Sequence, residues 1–233
     1  MRLDKFLANQ GYGSRKEVKA LIKQKRVSVN DEIAKRDDVK IDEFHDVVKV
    51  DDETVAYEEF VYYMLYKPAG YVSATEDRLP TVMDLFEEFI PKDSFPVGRL
   101  DIDTEGLLLI SNDGVLAHRL LSPKKHVDKV YEVHTAKPID DGMVERLQKP
   151  LVYQDEVYQG GRVEKVDEHI LYLTIQEGKF EQVKRMLLCV GNEVTYLKRI
   201  RFGSLVLDES LKKGQYRRLS EEELETLKNW RNA

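Results

Sequence analysis

The stretch GRLDIDTEGLLLISNDG, residues 98–114, places two carboxylates, Asp101 and Asp103, directly before a run of apolar residues. The run GLLLIS has the length and composition of a strand that is buried on both faces, and the letters NDG that follow it predict a turn. Charged side chains directly before a buried strand must be solvated or paired, because burial of an unpaired charge costs free energy. The stretch therefore predicts a central strand with an acidic loop at one end.

Four interpretations of this acidic pair can be compared. Its spacing is that of the opening of a calcium-binding loop, but residues 107–110 are apolar and Asn112 stands where that loop requires a bidentate Glu. Glycoside hydrolysis also uses two acids, but they must face a sugar across a gap that a single sequence does not show. The acids could instead cap the loop or neutralise Arg99. Alternatively, one Asp could be a nucleophile held by a basic partner.

The composition is typical of a folded protein. The chain has 233 residues, 42% hydrophobic and 34% charged, enough for one large domain or two smaller ones. No apolar run is long enough to span a membrane, and the opening MRLDKFLANQ lacks the apolar core of a signal peptide. The single cysteine, Cys189, cannot form an internal disulfide, which favours a cytoplasmic location. The five histidines lack metal-ligand spacing, so we expect no metal site.

The charges are segregated along the chain although the net charge is -6. Residues 1–30 contain eight Lys or Arg against two acids, and residues 31–60 contain twelve acids against four bases. The local charge, rather than the total, therefore indicates whether the protein can bind nucleic acid.

Residues 1–60 are predicted to hold two small helices and several short strands. Ser14 and Glu17 have the spacing of a capping box at the start of SRKEVKALI. On that helix Arg15, Lys19 and Lys23 recur every four residues, so their charges lie along one face. Taken alone, such a face is more often simply solvated than bound to a partner.

The segment RLDKFLANQGYGSRKEVKALIKQKRVSVND, residues 2–31, resembles the S4 RNA-binding domain in the order and spacing of its residues. Phosphate contacts supply affinity without sequence readout, and folded RNA is recognised largely by its shape. The resemblance implies an S4-like RNA-binding domain at residues 1–60. It assigns RNA contact to a basic set, Arg2, Lys5, Arg15, Lys16, Lys19 and Lys23.

The remainder, residues 61–233, is predicted to be an α+β domain with a mixed, mainly antiparallel sheet and flanking helices. Strands are expected in VYYMLYK, KVYEVHTA, RVEKV and ILYLTIQ, and the tail LSEEELETLKNW begins with a second capping box. Two further helices are predicted, with buried faces formed in TVMDLFEEFI by Val82, Leu85, Phe86 and Phe89 and in FEQVKRMLLCVG by Phe180, Val183, Leu187 and Val190.

The string GRLDIDTEGLLLISNDG also resembles the signature of the pseudouridine synthases of the ribosomal small-subunit synthase A group. Three further segments match that group in the expected order: YKPAGYVSAT (66–75), KVYEV (129–133) and EGKFEQVKRML (177–187). The resemblance covers nearly the whole chain. It implies an isomerase that detaches uracil from C1′, rotates it and rejoins it through C5, without any cofactor.

Within this resemblance, Asp101 corresponds to the catalytic residue and Tyr131 to an aromatic platform for the flipped uridine. Lys184 corresponds to the basic residue that keeps the Asp101 carboxylate ionised, with Arg185 as the alternative partner. Arg99 and Arg185 are expected to contact the substrate. Asp103 is expected to shape the loop.

One position departs from the pattern of the group. Glu181 stands where the group commonly has a basic, amide or histidine residue, so a contact to the RNA backbone is expected to be missing there. Lys198, Arg199 and Arg201 follow closely in sequence and could replace it.

The resemblance implies bacterial 16S rRNA as the substrate, with uridine 516 as the target, either as free RNA or within a small-subunit assembly intermediate. We expect a monomer without a membrane partner. One alternative keeps the chemistry and moves the target to 23S rRNA. Another class of protein, a non-catalytic S4 protein that binds rRNA during assembly, would have no use for Asp101 or for the helix that carries Lys184.

Overall fold

The computed structural model describes residues 1–87 and 90–230. The chain divides into two compact units, one formed by Met1–Val61 with Glu87–Ser94 and the other by Tyr62–Phe86 with Phe95–Ala233. Within the described ranges, no helix combines the length and the apolar character that crossing a lipid bilayer requires.

The first unit packs two helices on a small antiparallel sheet. Its helices are α1 (Leu3–Asn9) and α2 (Arg15–Lys23), and its strands are β1 (Val27–Val29), β2 (Glu32–Ile33), β3 (Val48–Val50) and β4 (Glu53–Thr54), in the order β2-β1-β3-β4. The predicted capping box is present at the start of α2, where the Ser14 amide donates to the Glu17 carboxylate over 2.7 Å. Leu3, Phe6 and Val18 are buried between the helices and the sheet.

The second unit contains all the remaining elements. Its strands are β5 (Tyr62–Lys67), β6 (Phe95–Val97), β7 (Glu105–Ser111), β8 (Lys129–Thr135), β9 (Leu151–Tyr153), β10 (Glu156–Tyr158), β11 (Arg162–Lys165), β12 (Ile170–Ile175), β13 (Val194–Phe202), β14 (Leu205–Val206) and β15 (Tyr216–Arg218). Its α-helices are α3 (Gly114–Leu121), α4 (Asp141–Leu147), α5 (Gln182–Cys189) and α6 (Glu221–Lys228), and its two 3-10 turns are Val82–Leu85 and Pro123–Lys125.

The sheet of this unit runs in the order β11-β12-β8-β13-β7-β5-β15, with β6 beside β7 and β14 beside β13. Strands β7 and β13 pair in parallel, and the other neighbours in the sheet are antiparallel. The predicted α+β class with a mixed, mainly antiparallel sheet is therefore confirmed.

Strand β7 lies inside this sheet, between β13 and β5, and all seven of its residues are buried, as its apolar sequence predicts. Its pairing with β13 depends on Gly106, which has a φ of +106°. A Cβ atom at Gly106 would lie 2.2 Å from the backbone oxygen of Arg199, so a larger residue cannot occupy this position without moving the strands apart. The acidic loop that precedes β7 is thereby held beside Arg199.

Two details of the predicted helices are wrong. The helix predicted at residues 81–90 is a single 3-10 turn, Val82–Leu85, because Phe86 adopts an extended backbone and stacks on Tyr216 at 4.2 Å between ring centroids. Phe89, which was predicted to face inward, lies outside the described residues. Helix α5 begins only at Gln182, since Glu181 has a left-handed backbone with φ of 49°. Phe180 precedes this break and is 66% exposed instead of buried.

Candidate active site

Asp101 lies in the tight turn that connects β6 to β7. The amide of Thr104 donates to the backbone oxygen of Asp101 over 3.0 Å, which closes the turn Asp101-Ile102-Asp103-Thr104. The side chain of Asp101 is 30% exposed and lines a cavity. The side chain of Asp103 is 63% exposed. The two carboxylates at the entrance of β7 therefore stand in different surroundings.

Lys67, the last residue of β5, holds the backbone of this turn in place. This lysine is fully buried, and its ammonium group donates to four backbone oxygens: those of Asp101 (3.0 Å), Ile102 (3.3 Å), Thr104 (2.8 Å) and Pro68 (3.1 Å). The Gly70 amide adds a bond of 2.7 Å to the Ile102 oxygen. The segment KPAG is thus the support on which the acidic turn is built.

Burial lowers the pKa of Lys67 to about 8, although the charges of Asp103, Asp101 and Glu105 oppose that shift. In the sequence this lysine belongs to the segment YKPAGYVSAT, for which only a resemblance and no residue role was predicted. The position of Lys67 in the apolar strand YYMLYK nevertheless indicates a structural role, because a buried lysine requires several hydrogen-bond acceptors to stay charged.

Lys184, on the first turns of α5, reaches both carboxylates. Its ammonium nitrogen lies 2.6 Å and 2.8 Å from the two oxygens of Asp103, and 3.5 Å from the nearer oxygen of Asp101. Burial disfavours the charge on Lys184, but the hydrogen bond to Asp103 and the charges of Asp101, Asp103 and Glu181 outweigh it, so the pKa of Lys184 is raised. The structure therefore brings Lys184 and Asp101 together, with Asp103 as the closer partner of the lysine.

Arg185 points to a different group of residues. Its guanidinium lies 3.1 Å from the Tyr158 hydroxyl and 3.3 Å from the Glu156 carboxylate. It also lies over the ring of the exposed Phe180, 4.9 Å from the centroid. Neither Arg185 nor Lys184 is among the described residues that line the cavity containing Asp101, but only Lys184 lies within ion-pair distance of Asp101, at 3.5 Å. The geometry thus favours Lys184 over Arg185 as the cation beside Asp101.

The cavity beside Asp101 has a volume of about 1270 Å³. Tyr131, from β8, forms part of its wall and is only 8% exposed, while Arg99 lines the cavity from an exposed position before the turn. Glycines 160 and 161 and the start of α5 complete the wall. A space of this size with a carboxylate and an aromatic ring in its wall can hold a nucleobase with its sugar.

Comparison with known proteins identifies the family to which this chain belongs. The family model for RNA pseudouridylate synthase matches residues 61–188, and the model for the S4 domain matches residues 1–53. An RNA pseudouridine synthase of Bacillus subtilis is 49% identical over 240 residues, covering 97% of this chain and 98% of its own. The ribosomal small subunit pseudouridine synthase A of Escherichia coli is 39% identical over 227 residues, covering 96% and 98%. The chain belongs to the RNA pseudouridylate synthase family.

The fold agrees with this membership. A crystal structure of a pseudouridylate synthase, 37% identical in sequence, superimposes with a TM-score of 0.70 and covers 97% of this chain and 99% of the other. The protein is thus a pseudouridine synthase, an isomerase that acts on RNA and carries an S4 domain.

The S4 domain of this pseudouridine synthase displays the predicted basic set on its surface. Arg2, Lys5, Arg15, Lys16, Lys19 and Lys23 are all exposed. Two of them are partly neutralised, because Arg2 pairs with Asp4 at 2.9 Å and Lys19 pairs with Asp37 at 3.1 Å. Within the described part of the chain the other four form no ion pair, so their charges are available to a ligand.

Two buried cations that line the cavity of the synthase were not predicted as catalytic or substrate-binding residues. Arg199, on β13, was named only as one of three residues that could replace the RNA backbone contact at Glu181, but it is 2% exposed and lines the cavity. Lys129, on β8, is 7% exposed and lines the cavity as well. Of the other residues proposed to compensate for Glu181, Lys198 pairs with Glu132 at 3.0 Å and Arg201 is exposed.

Proposed function

We propose that this synthase converts one uridine of 16S rRNA, uridine 516, to pseudouridine, with Asp101 as the nucleophile. The observation that carries the proposal is the position of the Asp101 carboxylate. It lines a cavity large enough to hold a nucleoside and stands 3.5 Å from the ammonium group of Lys184. A cation at this distance favours the ionised form of a carboxylate, which is the form that can attack.

The target uridine must leave its stack before its C1′ atom can be reached, because a paired or stacked base hides the sugar behind it. In the proposal, Tyr131 receives the flipped uracil against its ring, which compensates part of the lost stacking. Arg99 and Arg185 are proposed to contact the nucleotide and its neighbours.

The reaction then adds no chemical group to the RNA and removes none. The Asp101 carboxylate bonds to C1′ while the C1′–N1 bond breaks and its electron pair stays on the uracil. The uracil turns, C5 bonds to C1′, and the carboxylate is released. C5 loses its proton and N1 gains one, so substrate and product are isomers. In an alternative route the carboxylate removes the proton from C2′ while the C1′–N1 bond breaks, which gives a glycal and free uracil. C5 of the turned uracil then bonds to C1′, C2′ regains its proton from the carboxyl group, C5 loses its proton and N1 gains one. This route also starts from ionised Asp101.

Two relatives support the small subunit as the source of the target. Relatives from Escherichia coli and Haemophilus influenzae, 39% and 38% identical to this chain, are ribosomal small subunit pseudouridine synthases A. The S4-like domain at residues 1–60 is proposed to dock on the rRNA, or on an assembly intermediate, through its exposed basic set. Residues 61–233 are proposed to perform the chemistry, in a monomer that works in the cytoplasm.

Mapping of pseudouridine in rRNA tests the proposal. Ribosomal RNA from cells that lack the gene should have uridine at position 516 of 16S rRNA, and the purified protein should restore pseudouridine there in vitro. Loss of a pseudouridine from 23S rRNA instead would move the target to the large subunit. An unchanged map, together with no conversion in vitro, would favour a non-catalytic role in assembly.

A further inference from the structure

Arg199 is a buried cation without a counterion. Its Nε donates to the backbone oxygen of Leu107 over 2.9 Å, and its guanidinium lies over the ring of Phe202, 5.0 Å from the centroid. The terminal nitrogen Nη2 is buried and has no hydrogen-bond partner. Among the described residues, no carboxylate lies within ion-pair distance of Arg199.

Such an arrangement is costly for the folded protein. A guanidinium cannot release its proton in a protein, so Arg199 keeps its charge whatever its surroundings. Burial without a compensating anion therefore lowers the stability of the fold. A contact of Arg199 with a ligand that carries negative charge would compensate this cost.

The surroundings of Arg199 add to the positive charge. Lys129 lines the same cavity, and its ammonium group donates to the backbone oxygens of Val127 (3.1 Å) and Gln176 (3.2 Å), both uncharged acceptors. The nearby Asp128 is engaged by the guanidinium of Arg162 at 2.8 Å. The Asp101 carboxylate stands beside Lys184. The part of the cavity formed by Arg199 and Lys129 therefore has an excess of positive charge.

We propose that Arg199, assisted by Lys129, binds the oxygen atoms of the uracil ring and stabilises the negative charge that the ring acquires during the reaction. This inference rests on the proposed function, in which the flipped uridine enters the cavity. When the C1′–N1 bond breaks, its electron pair remains on N1 and spreads to the ring oxygens O2 and O4. A fixed cation at those oxygens lowers the energy of the state in which the bond is broken.

The position of Arg199 favours the base over a phosphate group as its ligand. Arg199 is paired with Tyr131 across β13 and β8, and both line the cavity, so the cation lies beside the ring on which the uracil is proposed to stack. A phosphate is strongly hydrated and is commonly met by exposed cations such as Arg99, whereas Arg199 is 98% buried.

A binding experiment tests this inference without turnover. The probes are barbiturate, a pyrimidine ring that is an anion at neutral pH, uracil, which is neutral, and inorganic phosphate. The wild-type full chain should bind barbiturate more tightly than uracil, and Arg199→Gln should reduce that preference by roughly tenfold or more. Arg201→Gln, an exposed arginine two residues along the same strand, is the matched control and should keep the preference.

Three results of the binding experiment would overturn the inference. These are equal binding of barbiturate and uracil by the wild type, an unchanged preference in Arg199→Gln, and loss of phosphate binding alone in that variant. Arg199→Lys keeps the charge and changes its geometry, so it should retain part of the preference. It also provides the measurement if Arg199→Gln does not fold.

A kinetic experiment uses RNA that carries uridine or 5-fluorouridine at the target position. Fluorine withdraws electrons and stabilises the anionic ring, so the reaction of 5-fluorouridine should depend less on Arg199. The factor by which Arg199→Gln slows single-turnover loss of the original nucleoside should be smaller for 5-fluorouridine than for uridine. Equal factors would assign Arg199 a purely structural role. Absence of conversion by the wild type would refute the proposed function, while the barbiturate measurement would still decide whether the cation site exists.

Discussion

Lys67 donates a hydrogen bond from its buried ammonium group to the backbone oxygen of Asp101, over 3.0 Å. The same nitrogen bonds three more backbone oxygens of this region. A single side chain thus donates to backbone carbonyls at both ends of the acidic turn. The position of the Asp101 carboxylate therefore depends on a residue 34 positions earlier in the chain.

The first prediction concerns this support. Lys67→Met should remove this donor from all four carbonyls, of which those of Asp101 and Ile102 keep a backbone amide, and should lower the free energy of unfolding by about 1–3 kcal/mol. It should also reduce kcat more than it raises KM, because the carboxylate is displaced rather than removed. Urea unfolding and steady-state kinetics provide the two measurements. Lys212→Met, on an exposed lysine, is the matched control. Wild-type stability in Lys67→Met would show that the carbonyls find other donors.

The second prediction compares the two acids of the turn. Asp101→Asn should reduce turnover by more than about 10³-fold, since an amide cannot act as the nucleophile, while RNA affinity stays near that of the wild type. Asp103→Asn should have a much smaller effect, because Lys184 then loses its closer partner and becomes free to approach Asp101. Pseudouridine formation by Asp101→Asn would contradict the assignment. Equal losses in both variants would show that the two acids act as a unit.

The third prediction concerns Lys184. Its raised pKa keeps it charged at neutral pH, so Lys184→Met removes the cation beside Asp101. The carboxylate then loses the cation that holds it in place, so activity should fall over the whole pH range in which Lys184 is charged in the wild type. Lys184→Arg should show a milder loss because the charge is kept.

Arg185→Met provides the control for this pH profile, since Arg185 is bound to Glu156 and Tyr158. Its profile should keep the wild-type shape. Wild-type activity in Lys184→Met would indicate another partner for Asp101.

Local patterns predicted some parts of this protein better than others. The apolar run of β7 and the capping boxes that begin with Ser14 and Ser220 depend on residues a few positions apart, and both features are present. The proximity of Asp101 and Lys184, which are 83 positions apart in the chain, was expected only from the resemblance to the family.

The roles of Lys67 and Arg199 were not predicted, because they depend on strand pairings that a single sequence does not show. Arg199 was named only as one of three residues that could replace an RNA contact at Glu181, yet the pairing of β13 with β7 and β8 buries it in the middle of the sheet. The early end of helix α5 also has a local cause that was missed, the left-handed backbone of Glu181, which periodicity does not indicate.

The fourth prediction concerns the basic face of α2. Removal of Lys19 and Lys23 together should weaken binding to rRNA and reduce the slope of log affinity against log salt by about two at most, since each neutralised phosphate contributes roughly one. Lys23→Ala alone should have the larger single effect, because Lys19 is already paired with Asp37 at 3.1 Å. The rate at saturating RNA should be unchanged. Lys149→Ala, an exposed lysine paired with Glu145, is the control. Unchanged binding in the double variant would show that this face is only solvated.

The fifth prediction follows from the titration of Lys129. Its pKa is lowered from 10.5 to about 8, because burial disfavours the charge and Arg199 repels it, while Asp128 offsets only part of this shift. Between pH 8 and 10.5 the unfolded chain therefore binds more protons at this residue than the folded protein does. The free energy of unfolding must then rise with pH over this interval. This contribution of Lys129 is complete above pH 10.5 and is lost as the pH falls to about 8.

Comparison with Lys129→Met isolates this contribution, because methionine does not titrate. The stability of the wild type relative to this variant should increase by up to about 1.4 kcal/mol per pH unit between pH 8 and 10.5, and should stay constant between pH 6.5 and 7.5. Urea unfolding of both proteins at each pH gives the difference. Lys212→Met, which makes the same substitution at an exposed lysine, is the matched control. A constant difference for Lys129→Met would mean that Lys129 titrates in the folded protein as it does in the unfolded chain, and its charge would then not belong to a buried pair with Arg199.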